Sequence, residues 1–110
     1  MTSLQYQRGA AMVERVRLEA GFRLGADAAG RVARAVELAL RHREHAMLDD
    51  HDPRYMHSAR NVLVLLSDAA CGDADTLAAA AFFDSVDAAL CPPPERLLDV
   101  AGPAAAALLL

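Results

Sequence analysis

The sequence contains no lysine and no isoleucine, and aromatic residues make up only 5% of its 110 residues, whereas hydrophobic residues make up 55%. A β-sandwich would need more Thr, Tyr, Phe and Ile than this chain has. The core must therefore be built from Ala, Leu and Val, a composition that suits closely packed helices. The length is enough for one small domain, so we expect a single all-α domain over residues 1–110.

The chain is also poor in cysteine and has no long apolar run. Cys71 and Cys91 are isolated thiols without CxxC spacing. The N-terminal stretch MTSLQYQRGAAMVERV carries charges where a signal peptide would be apolar. No apolar run approaches the ~20 residues that a membrane span requires. We therefore expect a cytoplasmic protein with reduced thiols and no membrane partner.

The chain also lacks an excess of basic residues, since its net charge is −4 at pH 7 and its isoelectric point is near 5.4. Binding to a phosphate backbone requires a basic face, and only residues 8–43 offer an arginine-rich run. Glu and Asp residues dilute the arginines even there. The pattern favours a solvated helix face, and nucleic acid is not an expected partner.

Hydrophobic periodicity and breaker residues predict an all-α helical bundle. Gly21 and Gly25 should end the first helix, and Asp27 and Asp75 should act as N-caps of the second and fourth. The sequence CPPPE at 91–95 should stop the fourth helix. The predicted helices are 4–22, 28–47, 55–69, 76–90 and, more briefly, 95–100.

The chain ends inside an apolar segment. Gly102-Pro103 breaks the preceding helix, and a helix starting at 104 would stop after two turns. We interpret this end as a truncated domain or as an edge that packs on another surface. Self-association through the apolar C-terminus is therefore an expected form of partner contact.

All four histidines, His42, His45, His51 and His57, lie in one stretch, and Asp84 lies inside an apolar run. The predicted helices put His42 near the end of one helix, His57 near the start of the next and Asp84 midway along a third. The three side chains could converge across a loop. Imidazole and carboxylate groups together suit a hydrolytic centre of Mn, Fe, Zn or Mg.

Local sequence around these residues resembles the HD-domain metal-dependent phosphohydrolases, and within them the alarmone (ppGpp) hydrolase branch. ALRHREH puts His42 at the position of the first histidine ligand, and PRYMHSARNV keeps the Tyr55 and His57 pair. ADTLAAAAFFDSVD follows the family's third block through Asp75, Thr76 and Leu77. The resemblance covers about residues 30–90 and implies an HD-like helical fold, with His42, His57 and Asp84 as metal ligands.

The chain departs from the family at several ligand positions. The defining His-Asp pair is here Phe83-Asp84, and an apolar ring cannot coordinate a metal. The acidic pair that follows is here Asp87-Ala88, so one catalytic-type carboxylate remains. The family's last aspartate ligand would lie beyond Leu110. Ser58 also replaces a usual proline.

Each candidate residue has an alternative interpretation. His42 and His57 could be hydrogen-bonded histidines that bind no metal, and His45 or His51 could replace a missing ligand. Asp84 either faces the core, where a carboxylate needs a cation or donors, or lines a solvated face with Asp87. Phe83 would fill the core and close a metal-free pocket.

Two classes of function follow. In the first, a divalent metal on His42, His57 and Asp84 activates water to hydrolyse a nucleotide phosphate, and Asp87 steers the water or the leaving group. In the second, a degenerate HD-like module without catalysis, and without metal, serves protein contact or nucleotide sensing. Phe83, Ala88 and the absent last ligand favour the second class. A nucleotide or phosphorylated small molecule is the ligand that the first class implies.

Overall fold

The computed structural model describes residues 3–46, 57–68, 71–82 and 94–109. Within these ranges the chain forms helices and no strand, so the predicted all-α class is confirmed. The helices are α1 (Ser3–Leu24), α2 (Ala26–Ala46), α3 (His57–Ser67), α4 (Ala74–Ala80), α5 (Pro94–Ala101) and α6 (Pro103–Leu109).

A single glycine separates α1 from α2. Gly25 has φ of 89°, and its N–H donates to the carbonyl of Gly21 at 3.2 Å. This left-handed residue ends the first helix, as is common at helix C-termini. Gly21 was expected to help break the helix but lies inside α1. Asp27 was expected to be an N-cap but lies in the first turn of α2, because Gly25 already supplies the break.

Helix α2 is the central element, since it packs against α1, α3, α4 and α5. Most of its circumference is buried, and many of the buried positions are alanine, so neighbouring helices can approach closely. The predicted apolar stripe of this helix is confirmed. Its buried residues are Ala29, Val32, Ala33, Ala35, Val36, Leu38, Ala39 and Leu40.

Helix α3, helix α4 and the turn after α4 each contribute a large buried side chain. Leu66, Leu77 and Phe82 are fully buried, as the apolar spacing predicted. Helix α4 ends at Ala80, and Ala81 and Phe82 form a turn, so it is shorter than the predicted 76–90 over the part that the structure describes. Residues 83–90 lie outside that part.

The C-terminal region forms two short helices that pack on the rest of the bundle. Helix α5 matches the predicted short fifth helix, and its Leu97 is fully buried. Gly102, with φ of 93°, separates it from α6. Ala105 and Ala106 of α6 are buried, whereas Leu108 is 63% exposed. The C-terminal segment therefore packs partly on its own domain and leaves an apolar side chain exposed.

Substituting Gly102 by Ala should destabilise the fold more than substituting Gly25. A Cβ atom costs roughly 1–2 kcal/mol in a left-handed backbone, and both glycines have positive φ. At Gly102 the added Cβ would also lie 3.1 Å from Nη1 of Arg31, whereas at Gly25 no atom lies within 4 Å. Urea unfolding of Gly25→Ala and Gly102→Ala measures the difference. Equal losses for the two variants would show that the contact with Arg31 is unimportant.

Candidate functional site

The predicted metal ligands lie largely outside the described part of the chain. His42 falls in the last turns of α2 and His57 is the first residue of α3, which matches their expected places on the two helices. The side chains of both lie outside the described residues, as does that of His45. Asp84 and Asp87 also lie outside them, together with His51 and Phe83. The convergence of these groups on a metal stays a prediction.

The start of α4 is a well-defined polar cluster. It lies within the family-like block, which is the segment of about residues 30–90 that carries the resemblance. Asp73 is the N-cap, and its Oδ1 accepts a hydrogen bond from the backbone N–H of Asp75 at 3.2 Å. The hydroxyl of Thr76 donates to Asp73 Oδ2 at 2.6 Å. Asp75 was predicted as this cap. The cap lies two residues earlier, because a capping side chain must precede the helix and accept from the free N–H groups of its first turn.

These hydrogen bonds change the acidity of the cap. The hydroxyl of Thr76, followed by the N–H of Asp75, stabilises the ionised carboxylate and holds the pKa of Asp73 below its ordinary value of 3.8. Asp73 is therefore an anion at neutral pH. Its negative charge also interacts favourably with the N-terminal end of α4.

Asp75 instead forms an ion pair with Arg31 of α2. Nη2 of Arg31 lies 2.7 Å from Oδ1 of Asp75, and each side chain is about one-third exposed. The Oδ1 atom itself is buried, and its contact with Arg31 is an ion pair without hydrogen-bond alignment. Arg31 thus joins α2 to the start of α4, and its guanidinium lies close to Gly102. Asp75 has a structural role in this part of the family-like block.

Arg31 was not identified from the sequence, although a signal for it exists. It precedes Ala35 by four residues and Ala39 by eight, so it shares the face of α2 that holds these two buried alanines. A charged residue in register with an apolar stripe generally needs a partner of opposite charge. The register of Arg31 therefore indicates an acidic partner on a neighbouring element.

A cavity of about 540 Å³ lies between α3, α4 and α6. Its volume falls in the range of small-ligand sites in proteins, roughly 300–1,000 Å³. Most of its lining is apolar, and none of the described residues that line it is charged. They are Asn61, Val64, Leu65, Thr76, Ala79, Ala80, Leu108 and Leu109. The cavity suits an apolar group better than a phosphate, which needs cationic or backbone donors.

A second groove, of about 510 Å³, lies between α1 and α2. It is flanked by the exposed side chains of Leu18 and Phe22, which are 60% and 91% exposed. Arg17 is its charged lining residue and forms an ion pair with Glu14. The groove is more open than the α3–α4–α6 cavity, and its floor consists of small residues.

Metal-binding clusters and membrane spans are both absent from the part of the chain that the structure describes. Among its residues, no group of three or more His, Cys, Asp or Glu side chains is placed to hold a metal ion. None of its helices is long and apolar enough to cross a membrane.

Comparison of the chain with protein-family models, with curated proteins and with solved structures gives no significant match.

The low pKa of Asp73 predicts a defined acid dependence of stability. A carboxylate whose folded-state pKa is depressed stabilises the fold above its unfolded pKa, and this contribution is lost as the pH falls through the folded-state value. Asp73→Asn keeps one accepting oxygen in place of the two that Asp73 uses, and it cannot ionise. Wild type should therefore be more stable than Asp73→Asn at pH 5–7, and the gap should narrow as the pH falls below about 3.8. Urea unfolding, monitored by circular dichroism, measures the difference in unfolding free energy between the two proteins. A difference that does not change with pH would contradict a lowered pKa at Asp73.

Proposed function

We propose that this chain is an HD-like helical module without catalytic activity, and that its α3–α4–α6 cavity holds an apolar anchor of a partner protein. The cavity is the observation that carries the proposal. It is sizeable and mostly apolar, and two of its lining side chains, Val64 and Leu108, are 52% and 63% exposed at the protein surface. Exposed apolar side chains around a concave site commonly mark contact with another molecule.

The residues of the family-like block support the non-catalytic interpretation. Asp75 is held by Arg31, and Thr76 is held by the cap Asp73. In the sequence, Phe83 stands where the resemblance requires a histidine ligand, and Ala88 stands where it requires a carboxylate. These substitutions weaken a metal centre more than they weaken a helical fold, because a fold needs only apolar packing at such positions.

The described part of the C-terminal helix α6 belongs to the same surface. Leu108 and Leu109 line the cavity, while Ala105 and Ala106 hold the helix on the bundle. A partner that enters the cavity would contact α6 directly. Self-association through this helix is one form of such contact, and it would appear as a concentration-dependent mass in size-exclusion chromatography with light scattering.

Metal-dependent hydrolysis of a nucleotide phosphate is the second candidate function. Its support is that His42 falls in the last turns of α2 and His57 begins α3, the next described helix. In this interpretation His42, His57 and Asp84 would hold a divalent metal, which would supply an activated water, and Asp87 would orient that water. Nucleotide sensing without hydrolysis would use the same region. The uncharged lining of the α3–α4–α6 cavity offers no described cation to either ligand.

Filling the cavity should weaken binding of an apolar probe. Diphenylhexatriene, a neutral fluorophore without hydrogen-bonding groups, should bind the wild-type protein with a rise in fluorescence. Ala80→Leu places three extra carbons in the cavity, and Val64→Arg places a charge at its exposed edge, so each should weaken binding at least tenfold, about 1.4 kcal/mol.

Phe22→Ser is the matched control, because Phe22 is 91% exposed and lies at the α1–α2 groove, away from the cavity lining. It should leave probe binding unchanged. Circular dichroism should show that all three variants keep wild-type helicity. Equal binding by wild type, Ala80→Leu and Val64→Arg would contradict the proposal. Displacement of the probe by a nucleoside triphosphate would favour nucleotide sensing instead.

A further inference from the structure

Helix α6 is attached to the bundle mainly through small side chains. Its seven residues pack against α4 and α5, and the buried ones are Ala105 and Ala106. Leu108 is 63% exposed, and Leu109 is only partly buried. Stabilisation by burial grows with the apolar area removed from water, and alanine offers little of it. Because a seven-residue helix is too short to persist by itself, α6 depends on this limited packing for its structure.

The larger side chains of α6 line the α3–α4–α6 cavity. Leu108 and Leu109 line it from α6, while Val64, which is 52% exposed, lines it from α3. The polar lining residues Asn61 and Thr76 belong to α3 and α4, so the wall that α6 contributes is apolar. An apolar group bound in the cavity would give the two leucines the packing that the bundle does not provide.

A single residue joins α6 to α5. The N–H of Gly102 donates to the carbonyl of Leu98 at 3.1 Å, and the carbonyl of Gly102 accepts from the N–H of Ala106 at 3.0 Å. Rotation about the N–Cα bond between these two groups redirects α6 and preserves both hydrogen bonds. Gly102 carries no side chain that would restrict this rotation, and its φ is already 93°. The joint can therefore act as a hinge.

We infer that α6 is a lid of the α3–α4–α6 cavity. In the free protein the lid opens transiently by turning about Gly102, and an apolar anchor that packs against Leu108 and Leu109 holds it closed. Binding of the partner and ordering of α6 are thus coupled, because the anchor supplies the contacts that α6 lacks. The inference rests on the proposed function, since it concerns the same cavity and the same anchor.

Amide hydrogen exchange in the whole chain, followed residue by residue by NMR, measures this motion. Amides at 106–109 should exchange at least about a hundredfold faster than those at 32–40 of α2, because the lid opens without unfolding of the bundle. Diphenylhexatriene at about ten times its dissociation constant should slow exchange at 106–109 about tenfold, because the bound protein does not open. At the same probe concentration, Ala80→Leu protein should show much less slowing, since its filled cavity binds the probe weakly.

A pair of glycine variants outside the cavity tests whether α6 opens on its own. Ala107 of α6 and Ala11 of α1 are both exposed, and neither lines the cavity. Ala107→Gly lowers the helix propensity of α6, so exchange at 106–109 should become about fivefold faster. Ala11→Gly is the matched control and should leave exchange at 106–109 unchanged, because α1 stays folded when the lid opens. Equal acceleration by the two variants would show that α6 opens only with the whole bundle, and the inference would be wrong.

Failure of this inference is distinguishable from failure of the proposed function. If diphenylhexatriene binds and Ala80→Leu weakens its binding, but amides at 106–109 exchange no faster than those at 32–40, α6 is a fixed wall. The inference is equally wrong if exchange at 106–109 is fast and the bound probe does not slow it. In both cases the proposed function stands. If diphenylhexatriene does not bind the wild-type protein, the proposed function fails and the lid inference fails with it.

Discussion

Close packing around α2 is the constraint on which the rest of the structure depends. Helices α1, α3, α4 and α5 pack against α2, and most of the circumference of its described part is buried. A helix with large side chains on every face could not be approached so closely, whereas Ala33, Ala35 and Ala39 add little bulk beyond the backbone. The low aromatic content and the abundance of alanine in the sequence are thus the composition that this packing requires. Substitution of such an alanine by a larger residue would overpack the core.

Arg31 is a charged residue on the buried side of α2. It also organises the region around the cavity. Arg31 forms an ion pair with Asp75 at the start of α4, and its guanidinium lies beside Gly102, between α5 and α6. The ion pair ties α4, one of the three walls of the cavity, to the central helix. The ion pair between Arg31 and Asp75 fixes the position of α4 relative to α2 more than it adds stability, because the desolvation of these partly buried groups offsets much of their attraction.

Much of the fold was predictable because it follows from local patterns. The apolar stripe Val32–Ala35–Val36–Ala39–Leu40 and the breaks at Gly25 and Gly102 are visible in the sequence, and the structure confirms them. The cap of α4 was placed at Asp75 instead of Asp73, since DAD offers two aspartates of similar capping propensity and only the backbone conformation distinguishes them. Arg31 was missed because its partner lies 44 residues away in the sequence.

The candidate site was less predictable, because it too depends on residues that lie far apart in the sequence. Helical spacing gives the face on which His42 or Thr76 lies, but a cavity depends on how three helices meet, and α6 follows α3 by 35 residues. The stretch around the histidines is distinctive through residue chemistry alone. The cavity has almost no such chemistry, since alanine and leucine walls carry no motif, and Thr76 is the lining residue that the resemblance singles out.

The central claim is that this all-α chain serves binding without catalysis, and the metal content of the protein tests it most directly. Untagged protein is incubated with Mn²⁺, dialysed and analysed by inductively coupled plasma mass spectrometry, together with His57→Ala and with His51→Ala as the control. The account predicts much less than one equivalent of metal in all three proteins. Retention of about one equivalent by wild type and His51→Ala, with loss in His57→Ala, would contradict it and establish a metal centre.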